Sequence, residues 1–449
     1  MNLPPNVNSY LSKSPEVKKW QLTPGIDQEF KRAVVIPALA ESGTLLNTLV
    51  SLAENEESQL NSTLVICVIN NRCPDISSNE EIEDNAITLD YLKTLSSAMA
   101  APGSCPHLKK VKESGMKIAF VDASTKGREL PDKGGVGLAR KIGMDLALKC
   151  LDYNGESPAL IICLDADTLV ERNYLGEIGN YFTDHNEAAA VVSFRHILPE
   201  NRESRDAAIA YELFLRYYEA GLRFANSPYA YQTIGSTMVC RAEAYASVGG
   251  MNRKRAGEDF YFLQALAKYG KVGQIKKTIV YPSMRISDRV PFGTGRKMGE
   301  MAESTDKTIP FYDPQIFRIL KDFVAFLKGA DFQGMRGKEA LAACREINDT
   351  LGDYLDSKNF SDAWDKIRHN SKDEDQFRKN LHIWFDAFQT FKLAHYLRDN
   401  GYGNVDMLTA ISTLLSMDGL GVGALKGDMT KEMEEIEVLL TIMRSMDDR

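Results

Sequence analysis

Short, unbroken apolar runs alternate along the first part of the chain with stretches whose apolar residues recur every three or four positions. Ala33-Val34-Val35-Ile36-Pro37 reads as a buried strand ended by proline, and Leu64 to Ile69, Lys117 to Val121 and Ala159 to Leu164 read as three more. Between them, Leu45, Leu46, Leu49, Val50 and Leu52 within 43–53, Leu89, Leu92 and Leu95 within 81–99, and the span Val136 to Leu151 carry helical spacing. Strands alternating with helices predict an α/β domain with a mostly parallel sheet, and the unbroken runs predict strands covered on both faces. In such sheets ligands bind beyond the carboxyl ends of the strands.

The pattern changes after about residue 300. Ile316 to Leu327, Leu381 to Leu397 and Ile436 to Met446 are helical in spacing, and no strand run stands out. Three parts are expected: an N-terminal arm over 1–30, the α/β domain over 31–304, and a helical domain over 305–449. Leu381, Trp384, Phe385, Phe388 and Phe391 crowd one predicted helix. Core packing explains them; a binding surface or a homodimer contact is the sharper reading.

Composition narrows the partners. The chain has 449 residues, 44% of them hydrophobic and 26% charged, which fits two or three globular domains. A formal net charge of −8 argues against nucleic acid or an anionic membrane, though a local basic patch could still grip phosphate. Seven cysteines with no C-x-x-C pair argue against a zinc ribbon or redox motif and point to a reducing, cytoplasmic compartment. No run of about 18 apolar residues is present, and Met1 to Lys19 has no apolar signal core, so no transmembrane segment is expected.

The candidate chemistry gathers at the predicted strand ends. Asp165-Ala166-Asp167 follows the fourth strand, where two carboxylates can act at one site if the chain turns. Hard cations take such oxygens, and Mg²⁺ typically takes one or two carboxylates plus substrate phosphates. An isolated D-x-D is usually a pair of solvated turn residues; the position after a buried strand favours the site. Pro37-Ala38-Leu39-Ala40-Glu41 puts Glu41 at the end of the first strand, where it could instead serve only a helix dipole. Asn70 and Asn71 after the second strand suit a nucleobase edge or, equally, a turn.

Lys133-Gly134-Gly135-Val136-Gly137, with Arg140 and Gly143 beyond, opens a helix. It would let backbone approach a phosphate, or simply pack a helix closely, and it is neither a Walker motif nor a dinucleotide fingerprint. Gly257-Glu258-Asp259-Phe260 starts another helix, where acidic residues also serve as ordinary caps. From Arg285 to Lys297, arginines among glycines suggest a phosphate-gripping loop with Arg289, and Asp288 as an added metal ligand; a solvated basic loop is the plain alternative.

Taken in order, P-A-L-A-E, the G-x-G-L-A-R-x-x-G helix opening, D-A-D, the G-S-T strand from Gly235 to Arg241, V-G-G and G-E-D-F resemble the family-2 glycosyltransferases with the A-type, Rossmann-like fold. The resemblance runs from residue 33 to about 270. It implies an enzyme that moves a sugar from a nucleotide-diphospho-sugar, with UDP-sugars the commonest donors, to a hydroxyl acceptor. Pro37, Glu41, Asn70 and Asn71 would line the nucleotide pocket, and Lys133, Arg140 and Arg289 would reach the donor. Asp165 would lie near the ribose or metal, Asp167 would coordinate Mn²⁺ or Mg²⁺, and Asp259, with Glu258 as competitor, would be the catalytic base of an inverting transfer. Asn70-Asn71 replaces an aspartate-rich segment common in the family, which leaves the nucleobase open. The Q-x-x-R-W signature of processive synthases is absent, so transfer of one sugar or few is expected. A nucleotidyltransferase is the rival enzyme, although P-A-L-A-E stands where its glycine-rich phosphate loop belongs. A non-catalytic nucleotide-sugar-binding protein is the rival of another class.

Overall fold

A computed structural model describes residues 3–72, 76–97, 105–132, 134–285, 309–331, 334–419 and 432–447. They form two compact units. The first comprises the described residues of Met1–Ala208, Thr233–Ser304 and Asp447–Arg449, and the second those of Ile209–Gln232 and Thr305–Met446.

The chain begins with α1 (Pro5–Lys13) and α2 (Glu16–Lys19). There follow β1 (Arg32–Ala38), α3 (Leu45–Ala53), α4 (Glu57–Asn61), β2 (Thr63–Asn70), α5 (Asn79–Ser96), α6 (Pro106–Glu113), β3 (Lys117–Ala123), α7 (Val136–Ala147) and β4 (Leu160–Cys163). Next come β5 (Leu169–Val170), α8 (Tyr174–Asp184), β6 (Ala189–Phe194), α9 (Arg202–Phe224), β7 (Met238–Arg241), α10 (Ala242–Ser247), α11 (Glu258–Tyr269) and β8 (Val272–Tyr281).

The eight strands form one sheet in the order β3-β2-β1-β4-β7-β6-β8-β5. The β3-β2-β1-β4 half is parallel throughout, and β7 runs antiparallel to both β4 and β6. This is the α/β class the apolar runs predict, with helices flanking the sheet. The β1 and β2 side chains are buried along their whole length, which is why their sequences do not alternate.

Pro37 sits in a central strand that would ordinarily exclude it. Leu164 N–H donates to the Val35 carbonyl (3.1 Å), so residues 35 and 37 face β4, yet the β1–β4 ladder ends at Val35 opposite Cys163. The proline's missing donor falls just past the last rung, and the strands part there.

The N-terminal helices are fastened to the same unit by a buried carboxylate. Asp145 of α7 accepts hydrogen bonds from Tyr10 (2.7 Å), Tyr245 (2.6 Å) and Ser14 (2.7 Å), and Lys141 lies 3.3 Å away. Nearby, Glu16 pairs with Arg253 at 2.7 Å.

In the second unit β9 (Phe311–Tyr312) leads into α12 (Gln315–Lys328), α13 (Gly337–Ile347), α14 (Asp349–Ser357), α15 (Phe360–His369), α16 (Glu374–Trp384) and α17 (Ala387–Leu397). Then β10 (Asn404–Val405) pairs with β9, and α18 (Met407–Met417) and α19 (Glu432–Asp447) follow. Phe317, Phe323, Phe360 and Trp364 are fully buried among them. Arg444 grips the buried Glu212 carboxylate with two hydrogen bonds, 2.8 and 2.9 Å.

The single helix expected over Leu381 to Leu397 is instead two. The chain leaves helical geometry at Phe385, and the Asp386 carboxylate caps α17 by accepting from the N–H groups of Phe388 (3.1 Å) and Gln389 (3.0 Å). The aromatic residues thus belong to two elements: Phe385 is buried, while Phe391 is exposed. Asp386→Ala should cost about 1 kcal/mol of stability. Urea denaturation checks this, and an unchanged midpoint would count against the cap.

No helix among the described residues is long and apolar enough to cross a membrane. Six cysteines are free, five of them buried; Cys73 lies outside the described residues.

A candidate donor and acid–base site at the strand ends

The carboxyl ends of β1 and β2 are joined by a residue that the sequence reading passed over. Asn85 of α5 is buried; its Nδ2 donates to the Asn70 carbonyl (3.1 Å) and to Asn71 Oδ1 (2.6 Å). Its Oδ1 accepts from Ala40 N–H (2.9 Å), which holds Ala40 at φ +53°. That left-handed backbone turns the chain between Pro37 and Glu41. The signal was present: Asn85 stands with Thr88, Leu89 and Leu92 on the buried face of α5, where a polar side chain needs partners.

The Asn71 amide also donates to the Ser124 carbonyl (2.8 Å), beyond the end of β3. Its polar atoms are therefore engaged by the protein itself. Glu41 is buried, and its Oε2 accepts from Thr44 Oγ1 at 2.5 Å.

The acidic centre lies at the end of β4 and is organised by two arginines. Arg140 of α7 is buried, and its guanidinium donates to Asp165 at one end and to Glu258 at the other. Arg285 donates to Glu41 and pairs through Nε with Asp167 Oδ2 at 3.0 Å. The structure thus brings together Asp165, Arg140 and Glu258 in one group and Glu41, Asp167 and Arg285 in the other. The Asp165-Ala166-Asp167 turn joins the two groups. Lys133, Asp288 and Arg289 lie outside the described residues.

The glycines of the helix opening serve packing. A Cβ on Gly137 would meet the Lys254 carbonyl at 2.5 Å, and one on Gly135 would meet Arg255 Cα at 2.9 Å. One on Gly143 would run into Val35 and, at 2.9 Å, Val68. The α7 backbone therefore lies directly against β1, β2 and residues 252–255, the close-packed helix of the two readings. The last of those segments leads to α11, and Asn252 Nδ2 holds the Glu258 carbonyl at 2.8 Å.

Gly235 has the same purpose at the other side: a Cβ there would collide with the Arg140 guanidinium. Gly235→Ala should push Arg140 off its two carboxylates and cost roughly 1–3 kcal/mol. Chemical denaturation tests this, and wild-type stability in the variant would refute the packing role.

Electrostatics separate the acids. Burial pushes the Asp167 carboxyl up to about 7, with Asp165 and Glu41 adding to the rise and Arg285 opposing it. Asp259 is raised above the usual carboxylate range by burial and by adjacent Glu258, against the pull of Arg140. It is only partly covered: Oδ1 accepts from Phe260 N–H at 2.7 Å. Glu258 is committed to Arg140, which leaves Asp259 as the acid of that pair with an oxygen to spare.

Among the described residues no group of three or more acidic, histidine or cysteine side chains is disposed around a metal position. The two carboxylates of Asp165 and Asp167 still fit a hard cation that completes its shell with phosphate oxygens and water.

Residues 160–312 match the family model described as Glycosyl transferase family group 2. No curated protein matches the chain. Among solved structures, S. aureus TarS 1-349 in complex with UDP-GlcNAc is 12% identical, with 93% of this chain and 91% of that chain covered and a TM-score of 0.35. The Pyrobaculum calidifontis mannosyltransferase PcManGT in complex with GDP-Man and Mn²⁺ is 13% identical over 99% of this chain and 94% of that one, with a TM-score of 0.35. Glucosyl-3-phosphoglycerate synthase from Mycobacterium tuberculosis, in complex with Mn²⁺, UDP and phosphoglyceric acid, is 14% identical over 55% and 68%, with a TM-score of 0.31. TM-scores below 0.5 are too low for these likenesses to carry an argument. The sequence match is confined to residues 160–312, and over that segment the chain is similar to the glycosyl transferases of family group 2.

Proposed function

We propose that the protein is a non-processive, inverting glycosyltransferase that moves one sugar, or few, from a nucleotide-diphospho-sugar to a hydroxyl acceptor. One observation carries this reading: Arg140 ties Asp165, at the end of β4, to Glu258, at the head of α11. A single buried guanidinium thereby links the end of β4 to the residue beside Asp259, which supports the reading. Inverting transfer needs that pairing, with positive charge on the leaving-group side and a base on the acceptor side.

Glu41 and the Asn70-Asn71 segment border the nucleotide end in this reading. Asp167 and Asp165 hold Mn²⁺ or Mg²⁺, which when bound neutralises charge on the departing diphosphate. Asp259 takes the proton from the acceptor hydroxyl as it attacks. Arg140 holds Asp165 and Glu258 together, fixes the head of α11, and so positions Asp259. The free, buried thiols fit a reducing, cytoplasmic setting.

The test is a panel of nucleotide sugars with and without Mn²⁺, read by thermal shift and by product analysis. A binding ligand raises apparent stability by mass action. Metal-dependent stabilisation with release of free nucleoside diphosphate is expected. Release of pyrophosphate from a nucleoside triphosphate would overturn the reading in favour of nucleotidyl transfer.

A further inference from the structure

The two strand-end carboxylates are each held by an arginine, but the two arginines are not equivalent. The Arg140 side chain is 4% exposed and is locked from behind by Glu258, itself 5% exposed. Arg285 is 33% exposed, and its partners Glu41 and Asp167 are 8% and 19% exposed. Different nitrogens of its guanidinium engage the two carboxylates: Nη2 faces Glu41, and Nε faces Asp167 Oδ2 at 3.0 Å. One planar cation therefore neutralises two acids from different strand ends. Asp167 has no other salt-bridge partner among the described residues.

We propose that Arg285 is a built-in counter-ion that competes with a divalent cation for Asp167, and so limits how tightly the free protein takes the metal. This rests on the reading of Asp167 as a metal ligand. A divalent ion on Asp167 would lie within about 4–5 Å of a guanidinium still bonded to the same carboxylate, close enough for strong like-charge repulsion in a half-buried site. Either the ion stays out or Arg285 lets go. Arg140 has no such freedom, because it is itself buried and the buried Glu258 holds it from behind. A bound nucleoside diphosphate reverses the balance, since its negative charges favour both cations at once. Metal and nucleotide should then bind cooperatively, with Arg285 as a source of the coupling.

Mn²⁺ titrations of the full chain, followed by electron paramagnetic resonance, test this with and without UDP. Arg285→Gln should bind Mn²⁺ alone about tenfold or more tightly than wild type, and UDP should improve Mn²⁺ affinity by a smaller factor than in wild type. Adding Asp167→Asn to Arg285→Gln should erase the gain. Arg285→Lys is the second variant: it keeps one charge but cannot engage both carboxylates, so it should fall between wild type and Arg285→Gln. Mn²⁺ affinity unchanged or weakened in both Arg285 variants, with Asp167→Asn still abolishing binding, would overturn the competition and leave the metal site standing. Mn²⁺ binding that ignores Asp167→Asn in every background would overturn both.

Discussion

Asp259→Asn should lower turnover about 10²- to 10⁴-fold while donor binding survives. A sugar hydroxyl attacks well only when a positioned base takes its proton in the transition state, and asparagine cannot accept one. The substitution separates catalysis from architecture because it asks little of the fold. The N-cap of α11 is Gly257, with φ +66°, and no side chain caps that helix end. The one hydrogen bond that Asp259 accepts, from Phe260 N–H, is open to the Asn carbonyl as well. If Asp259 only settles the helix, Asn should turn over almost normally.

The pH profile adds a second readout. The Asp259 carboxyl is raised by burial and by Glu258, so its base form is lost at a pH above the ordinary carboxylate range. Wild-type kcat/KM at saturating Mn²⁺ should fall on the acid side through that raised value, and the contribution of Asp259 to that limb should be missing in Asp259→Asn. Near-normal turnover, or a product that keeps the donor's anomeric configuration, would sink the mechanism.

Asp167→Asn should weaken Mn²⁺-dependent binding of a nucleoside diphosphate more than about 100-fold and yet leave the protein folded. The sign of its stability effect follows from the direction of the carboxyl's shift. Burial raises Asp167 to about 7, so the folded protein prefers the neutral acid. The stability this contributes is fully present below about pH 4, the unfolded value, and is lost as pH rises through 7. Asparagine is neutral at every pH and escapes that loss. The variant should therefore melt no lower than wild type at pH 8, a comparison that thermal denaturation at pH 5 and pH 8 makes directly. A folded variant with unchanged metal dependence would remove Asp167 from the site.

The strands of the sheet differ in how far their sequences disclose them. β1 to β4 are buried strands, and burial on both faces writes itself as unbroken apolar runs. β8 reads Val-Gly-Gln-Ile-Lys-Lys-Thr-Ile-Val-Tyr because most of its positions are only partly covered, and β5 is two residues long. Neither carries a periodicity that stands out from a loop. The acidic centre follows the same division. Asp165, Asp167 and Glu41 are visible because each follows a legible strand. The commitment of Glu258 to Arg140, 118 residues apart, is a tertiary fact with no local signature. The glycines before Arg140 announce a close approach, but their neighbours Lys254 and Arg255 cannot be read from the motif. The Leu381 to Leu397 pattern shows the opposite failure: helical spacing continued across Phe385, and only the capping preference of Asp386 marked the break.

The Asp145 knot bears on how the molecule comes into being. Tyr10 bonds to a side chain 135 residues ahead, and Asn6 reaches Ser247, 241 residues ahead. A ribosome adds about 5–20 residues per second, so the first helix emerges roughly 10–50 seconds before its last partner has been made. Until then α10, against which α1 packs in the finished protein, is not there to shelter the buried Val7 and Leu11. The residues of α1 are thus among the last of this unit to settle, and a nascent chain stalled before residue 245 should expose them to added protease.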